Sequence, residues 1–283
     1  MRGSVSPSVR VVIITLDNHL AAAVERANDA MAADRVSIRL FAASDWDRDA
    51  AVLERAKAAI AEADVVIATM LFLEDHIRAI HPALAARRED CDAMVGLMSA
   101  GDIVKLTKLG GYRMDKPAKG PLALLKKLRG SGKPGASSGA GQMKMLRRLP
   151  KILRFIPGAA QDVRQYFLTL QYWLAGSDDN VVAMVRGLID RYASGERAAL
   201  KGKLPAQAPR EYPEVGVYHP AIAGGLTEDA AQLPRSKDAR GTVGVLMLRS
   251  YLLGKDAGHY DGMMAALEAQ GLNVIPAFAS GLD

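Results

Sequence analysis

Two short runs bring together residue types that could do acid–base or ligand chemistry. Glu74, Asp75 and His76 close the stretch Asp64–Ile77, read DVVIATMLFLEDHI. Val65, Val66 and Ile67 form a β-branched apolar run, the mark of a strand buried on both faces. In an open parallel sheet, ligands sit beyond the carboxyl ends of the strands, so this strand would deliver two carboxylates and an imidazole to that rim. A second reading stands beside it: Glu74 and Asp75 suit the first turn of a helix through its dipole, with His76 simply lying on that helix. The other run is Arg249–His259, RSYLLGKDAGH, where Arg249, Asp256 and His259 follow another strand-like stretch. There Asp256 could equally cap the next helix, and Arg249 pair with a carboxylate.

A third set is cationic. Lys144, Arg147, Arg148, Lys151 and Arg154 lie in Met143–Ile156, MKMLRRLPKILRFI, an amphipathic stretch broken at Pro150. From Lys105 to Arg154 there are fourteen Lys and Arg against the single acid Asp115, a local charge of +13. The remainder has 23 basic and 30 acidic side chains, or −7, so a mildly acidic globule carries a strongly basic segment. It reads either as a solvated insertion or as a surface for an anionic partner or an anionic membrane. Nucleic acid is not expected, because Tyr112 and Phe155 are its only aromatics fit to stack on bases.

The elements that must position these groups alternate. Val9–Leu16, Val36–Phe41, Asp64–Met70 and Ala93–Met98 read as strands. Leu20–Ala33, Asp49–Ala63 and Ile77–Arg88 read as helices, the last interrupted at His81-Pro82. This alternation predicts an α/β fold, a doubly wound, mostly parallel sheet. Gln161–Leu174 and the helix after Ser177 form a helical hairpin with an aromatic stripe read as core. Thr242–Leu248, Tyr260–Gln270 and Asn273–Phe278 then give a strand, a helix and a strand. The expected organisation is an amino-terminal α/β domain over 1–195, with a basic flexible insertion about 112–158 and the hairpin about 161–193. A linker follows at 196–213, then the start of a truncated second α/β domain at 214–283. Gly130–Gly141, GSGKPGASSGAG, is expected to be a flexible loop.

The 283 residues suffice for one large or two ordinary domains. Cys91 is the only cysteine, which leaves no disulfide within the chain and no cysteine-based zinc site, and fits a cytoplasmic compartment. No GxGxxG follows the first strand and no GxxxxGK[ST], HExxH or GxSxG occurs, so no nucleotide loop or metalloprotease site is legible. No cofactor is held by a recognisable motif.

Four landmarks carry a family resemblance. TKLGGYRM at Thr107–Met114, QYWLAGSDDN at Gln171–Asn180, YPEVGVYHP at Tyr212–Pro220, and LRSYLLGKDAGHY followed by LEAQGLNVIPAFASGLD closely resemble the magnesium chelatase large (H) subunit of chlorophyll and bacteriochlorophyll synthesis. The cobalt chelatase large subunit shares the style of the last block. The resemblance implies the amino-terminal region of a porphyrin-binding subunit. Its holoenzyme inserts Mg2+ into protoporphyrin IX while separate AAA+ subunits hydrolyse ATP. Family members are much longer, and no catalytic residue carries over onto this segment. Metal insertion needs bases for two pyrrole N–H protons and oxygen or nitrogen ligands for Mg2+. Glu74, Asp75, His76, Asp256 and His259 are the candidates, with Arg249 as a cation for a propionate. A docking module for the AAA+ subunits, or for a membrane surface at which the protein sits peripherally, is the alternative reading.

Overall fold

The computed structural model describes residues 8–116 and 148–279. Gly130–Gly141, Lys144 and Arg147 lie outside the described residues. The first sheet has the order β2-β1-β3-β4-β5-β6. Its parallel strands are β1 (Val9–Thr15), β2 (Val36–Ala42), β3 (Val65–Thr69) and β4 (Ala93–Leu97). The short hairpin β5 (Lys108–Leu109) and β6 (Tyr112–Arg113) adds antiparallel to β4.

Every residue of β3 and β4 is buried, because helices cover both faces. Val9, Val11 and Ile13 of β1 pack with Val24 and Met31 of α1 (Ala21–Met31) on one face. The helical hairpin, α6 (Ala159–Ala175) and α7 (Asp178–Tyr192), adds Trp173, Met184 and Leu188 there. Val12 and Ile14 turn to the other face. There Trp46 of α2 (Ala43–Trp46), Ile60 of α3 (Ala50–Glu62), Leu84 of α4 (Glu74–Arg87) and Ile103 of α5 (Gly101–Lys105) close a second core. The architecture is the doubly wound α/β layering read from the sequence.

Caps fix several ends. Asp49 Oδ1 accepts from Ala51 N at 2.9 Å to start α3, and Ser177 Oγ accepts from Asn180 N at 3.3 Å to start α7. Gly176 ends α6 at φ +60°, and a Cβ there would lie 2.9 Å from Leu20 Cδ2.

Three local expectations are corrected. α4 is not interrupted at His81-Pro82 but runs through Pro82. A proline inside a helix costs about 3 kcal/mol, while burying Ile80 and Leu84 returns about 1.5–3 kcal/mol each, so tertiary packing overrides the breaker. The helical stretch 148–153 likewise passes through Pro150, whose carbonyl accepts from Arg164 Nε at 3.1 Å. The run after the strand Thr242–Leu248 is not all loop, because its first five residues form a short helix, α8 (Arg249–Leu253).

Residues 194–213 run against the first core. Leu200 and Leu204 join it, and Tyr172 and Asn180 hydrogen-bond to the backbone of Gln207 and Arg210. A second sheet follows with order β8-β7-β10-β9. Its members are β7 (Val215–Tyr218), β8 (Leu226–Thr227), β9 (Gly241–Leu248) and β10 (Leu272–Ala279). β9 and β10 are parallel and joined through α9 (Gly258–Ala269), while β7 is antiparallel to β10. No helix among the described residues is long and apolar enough to cross a membrane.

Candidate functional site

The carboxyl rim of the first sheet is built from the loops after β1, β3 and β4. Met70 and Met98 stand one residue beyond β3 and β4, and both adopt left-handed backbone, φ +58° and +42°. This conformation costs a non-glycine residue roughly 1–2 kcal/mol and turns the chain abruptly out of the sheet. The two loops are stitched together. Met70 N donates to Leu97 O at 3.3 Å, Leu71 N to Ser99 Oγ at 3.1 Å, and Ala100 N to Leu71 O at 2.9 Å. Phe72 and Leu73 are thereby left exposed beside the partly exposed Met98.

The run Glu74–His76 starts α4, as the helix reading has it, but its three side chains diverge. Glu74 and Asp75 face solvent and pair with Arg78 one turn on. His76 turns inward, where its Nε2 meets Asp47 Oδ2 at 2.8 Å and its ring meets Trp46 edge to face at 5.9 Å. Its buried Nδ1 has no hydrogen-bond partner among the described residues. Asp47 lies 29 residues away on another loop, so no local spacing announced the pair.

On the opposite face, Thr15 and Thr69 follow the paired residues Ile14 and Ala68 at the ends of adjacent strands. Both hydroxyls are buried and lack partners among the described residues. The next loop carries Asp17 hydrogen-bonded to His19, whose ring packs edge to face on Trp173. These groups line the strand-order switch between β1 and β3, the place where open α/β sheets take ligands.

The second sheet places its own candidates separately. Arg249 donates through Nε to Pro213 O at 2.7 Å and through Nη2 to Tyr212 O at 3.1 Å, holding the chain that enters β7. Asp256 is exposed and does not cap α9, which starts without a side-chain cap. His259 is exposed, tilted against Tyr260 with ring centroids 4.0 Å apart and edge-on to Tyr251. His219 is buried, its Nε2 meeting Glu268 Oε1 at 3.1 Å. No group of three or more His, Cys, Asp or Glu able to hold a metal ion occurs among the described residues.

The sequence landmarks occupy joints. In TKLGGYRM, Thr107 Oγ1 accepts from Gly96 N at 3.0 Å. Gly110 sits at φ +54° against Asp162, whose Oδ2 accepts from Gly111 N at 3.1 Å. Arg113 holds Glu89 by a side-chain hydrogen bond, drawing its carboxyl down to about 2. Of the cationic set, Arg148, Lys151 and Arg154 are described and exposed.

Over residues 10–167 the chain matches the family described as a domain of unknown function, DUF3479, and over 170–283 the one described as CobN/Magnesium Chelatase. It is 50% identical over 275 residues to the magnesium-chelatase H subunit of Rhodobacter capsulatus, covering 96% of this chain and 23% of that protein. It is 49% identical over 290 residues to the corresponding magnesium-chelatase protein of Cereibacter sphaeroides, covering 100% of this chain and 24% of that protein. Among solved structures it is similar to the catalytic subunit of cobaltochelatase from Mycobacterium tuberculosis, with a TM-score of 0.45 and 15% identity, over 96% of this chain and 16% of that one. The chain thus spans about a quarter of the length of the curated relatives it matches.

Proposed function

This chain belongs to the DUF3479 family, continued by a CobN/magnesium chelatase region, and from that premise we propose that it is the amino-terminal part of a magnesium chelatase large (H) subunit. The whole subunit binds protoporphyrin IX and inserts Mg2+ into it, with ATP hydrolysed by separate AAA+ partners. The observation that carries this reading is the 50% identity sustained over 96% of the chain. The absence of a phosphate-binding loop from the sequence agrees with ATP being used elsewhere.

Substrate contact would fall to the accessible candidates. Glu74 and Asp75 at the rim are bases open to solvent, suited to accept pyrrole protons or offer oxygen to Mg2+. His259 presents an imidazole beside two tyrosine rings, a surface on which a flat macrocycle packs well. The test is reconstitution of the full-length protein containing this chain with the AAA+ subunits, ATP, Mg2+ and protoporphyrin IX. Magnesium porphyrin should form, read by its fluorescence. Cobalt insertion without magnesium insertion would move the chain to the cobalt chelatases.

A second role is supported by the stretch 148–155. Leu149 and Leu153 are buried against Val163, while Ile152 and Phe155 are 60% and 83% exposed among Arg148, Lys151 and Arg154. Apolar side chains ringed by cations suit an anionic surface, either lipid or an acidic stretch of an AAA+ partner. Changing Arg148, Lys151 and Arg154 together to Ser should weaken binding to anionic vesicles or to those partners, most at low salt. Unchanged binding to both would make this stretch a solvated insertion.

A further inference from the structure

Among the described residues, α9 covers one face of the second sheet, and the other face is largely open. Val274 and Phe278 of β10 and Met247 of β9 are buried with Met264 of α9. Alternation sends their neighbours to the other side. Register aligns them in rows: Val215, Ala279 and Leu248 form one, and Val217, Ala277 and Leu246 the next. Ile275 beside Gly244 continues the apolar strip. Val215, Leu246 and Leu248 are 64%, 63% and 61% exposed, while Val217 is buried; neither row carries a charged side chain, and the second ends on Thr227 of β8. The sheet is mixed, so one face could be left to solvent, but a solvated face would alternate to polar side chains, and these rows are chiefly apolar. An uncharged apolar strip of this kind marks an interface.

We propose that this face is an intramolecular interface, covered by an apolar layer from the remainder of a full-length large subunit. The inference rests on the chelatase reading, because the relatives supply the occupant: about three quarters of their length lies outside the region this chain matches. The rows have no charge to steer an ionic partner, so the covering layer must be apolar too. Among the described residues β9 is also the outer strand of its sheet, and that edge offers the same layer a strand to pair with.

The experiment compares the 283-residue chain with the full-length protein. Leu246→Cys is introduced in each and its reaction with a maleimide is timed against the same protein with Leu246 unchanged; Cys91, the one cysteine of the 283 residues, is buried. The full-length protein should react at least tenfold more slowly than the short chain. Leu246→Lys with Leu248→Lys should lower the thermal midpoint of the full-length protein by several degrees and leave that of the short chain unchanged. Equal maleimide rates, or a full-length midpoint untouched by the two lysines, would overturn the proposal. So would a short chain that dimerises through this face while the full-length protein leaves it reactive, since the occupant would then be a second copy. Failure of the reading of function is seen separately: a full-length protein that protects residue 246 but inserts no magnesium keeps the covered face and loses the chelatase.

Discussion

Lys255 Nζ donates to Asp178 Oδ2 at 3.0 Å, joining the loop after α8 to the first turn of α7 across 77 residues of sequence. Arg26 Nε reaches the same oxygen at 3.2 Å, and its Nη2 donates to the carbonyl of Gly254. Gly254 is buried against the loop after β1: a Cβ there would lie 3.4 Å from His19 O. Burial opposes ionisation of Asp178, but the hydrogen bonds from Lys255 and Arg26 outweigh it and hold the carboxyl below its usual range.

The contribution of this joint should therefore be present above the unfolded carboxyl value of about 4 and lost as pH falls through the lower folded value. Asp178→Asn should remove that acid dependence. Lys255→Ala should cost under about 1 kcal/mol, because Lys255 is largely exposed, while raising hydrogen exchange in residues 249–257. Exchange there that matches the unmodified protein would show that the ion pair does not tie the loop.

Gly96 admits no side chain. A Cβ would lie 2.5 Å from Ile103 O and 2.9 Å from Val104 Cα, both backbone atoms of α5. Gly96→Ala should destabilise the first unit by about 1–3 kcal/mol, read as a lower denaturation midpoint. An unchanged midpoint would mean that α5 shifts freely.

Burial pushes the Cys91 thiol up to about 11. At neutral pH it should react with a thiol reagent very slowly when folded and completely on unfolding. Rapid labelling of the native protein would contradict the packing around β4.

Tyr218 donates to Asp261 Oδ1 at 2.9 Å, and burial together with that carboxylate pushes its hydroxyl up to about 12. The folded state thus prefers the neutral form. Its contribution should be full below the ordinary tyrosine value of about 10 and lost as pH rises through about 12. A Tyr218→Phe variant should show a flatter alkaline unfolding profile; identical profiles would refute the coupling.

The α/β alternation was legible because each strand and helix kept its period, and the helical hairpin because its apolar spacing and the Gly176-Ser177 boundary agree. Pro82 and Pro150 misled, since local breaking rules know nothing of Ile80, Leu84 or Arg164. The family resemblance carried by TKLGGYRM and QYWLAGSDDN is borne out across the chain, and in the structure those stretches hold a turn against Asp162 and cap α7. The rim was legible in outline from β3. The pairing of His76 with Asp47 was not, because it joins the first turn of α4 to the residue after α2, 29 positions away.

Arg197 grips Asp92 through Nε at 2.9 Å and Asp64 through Nη1 at 3.2 Å, and both carboxylates are almost wholly buried at the amino ends of β4 and β3. The contact closes 105 residues of chain. During synthesis β4 therefore emerges long before the counter-cation of its buried acid: Asp64 already meets Arg10, whose N donates to its Oδ2 at 2.8 Å, but Asp92 has no cation until residue 197 has been made. The first unit should reach full resistance to proteolysis only once that arginine has left the ribosome, which makes its maturation late even though its helices and strands are local.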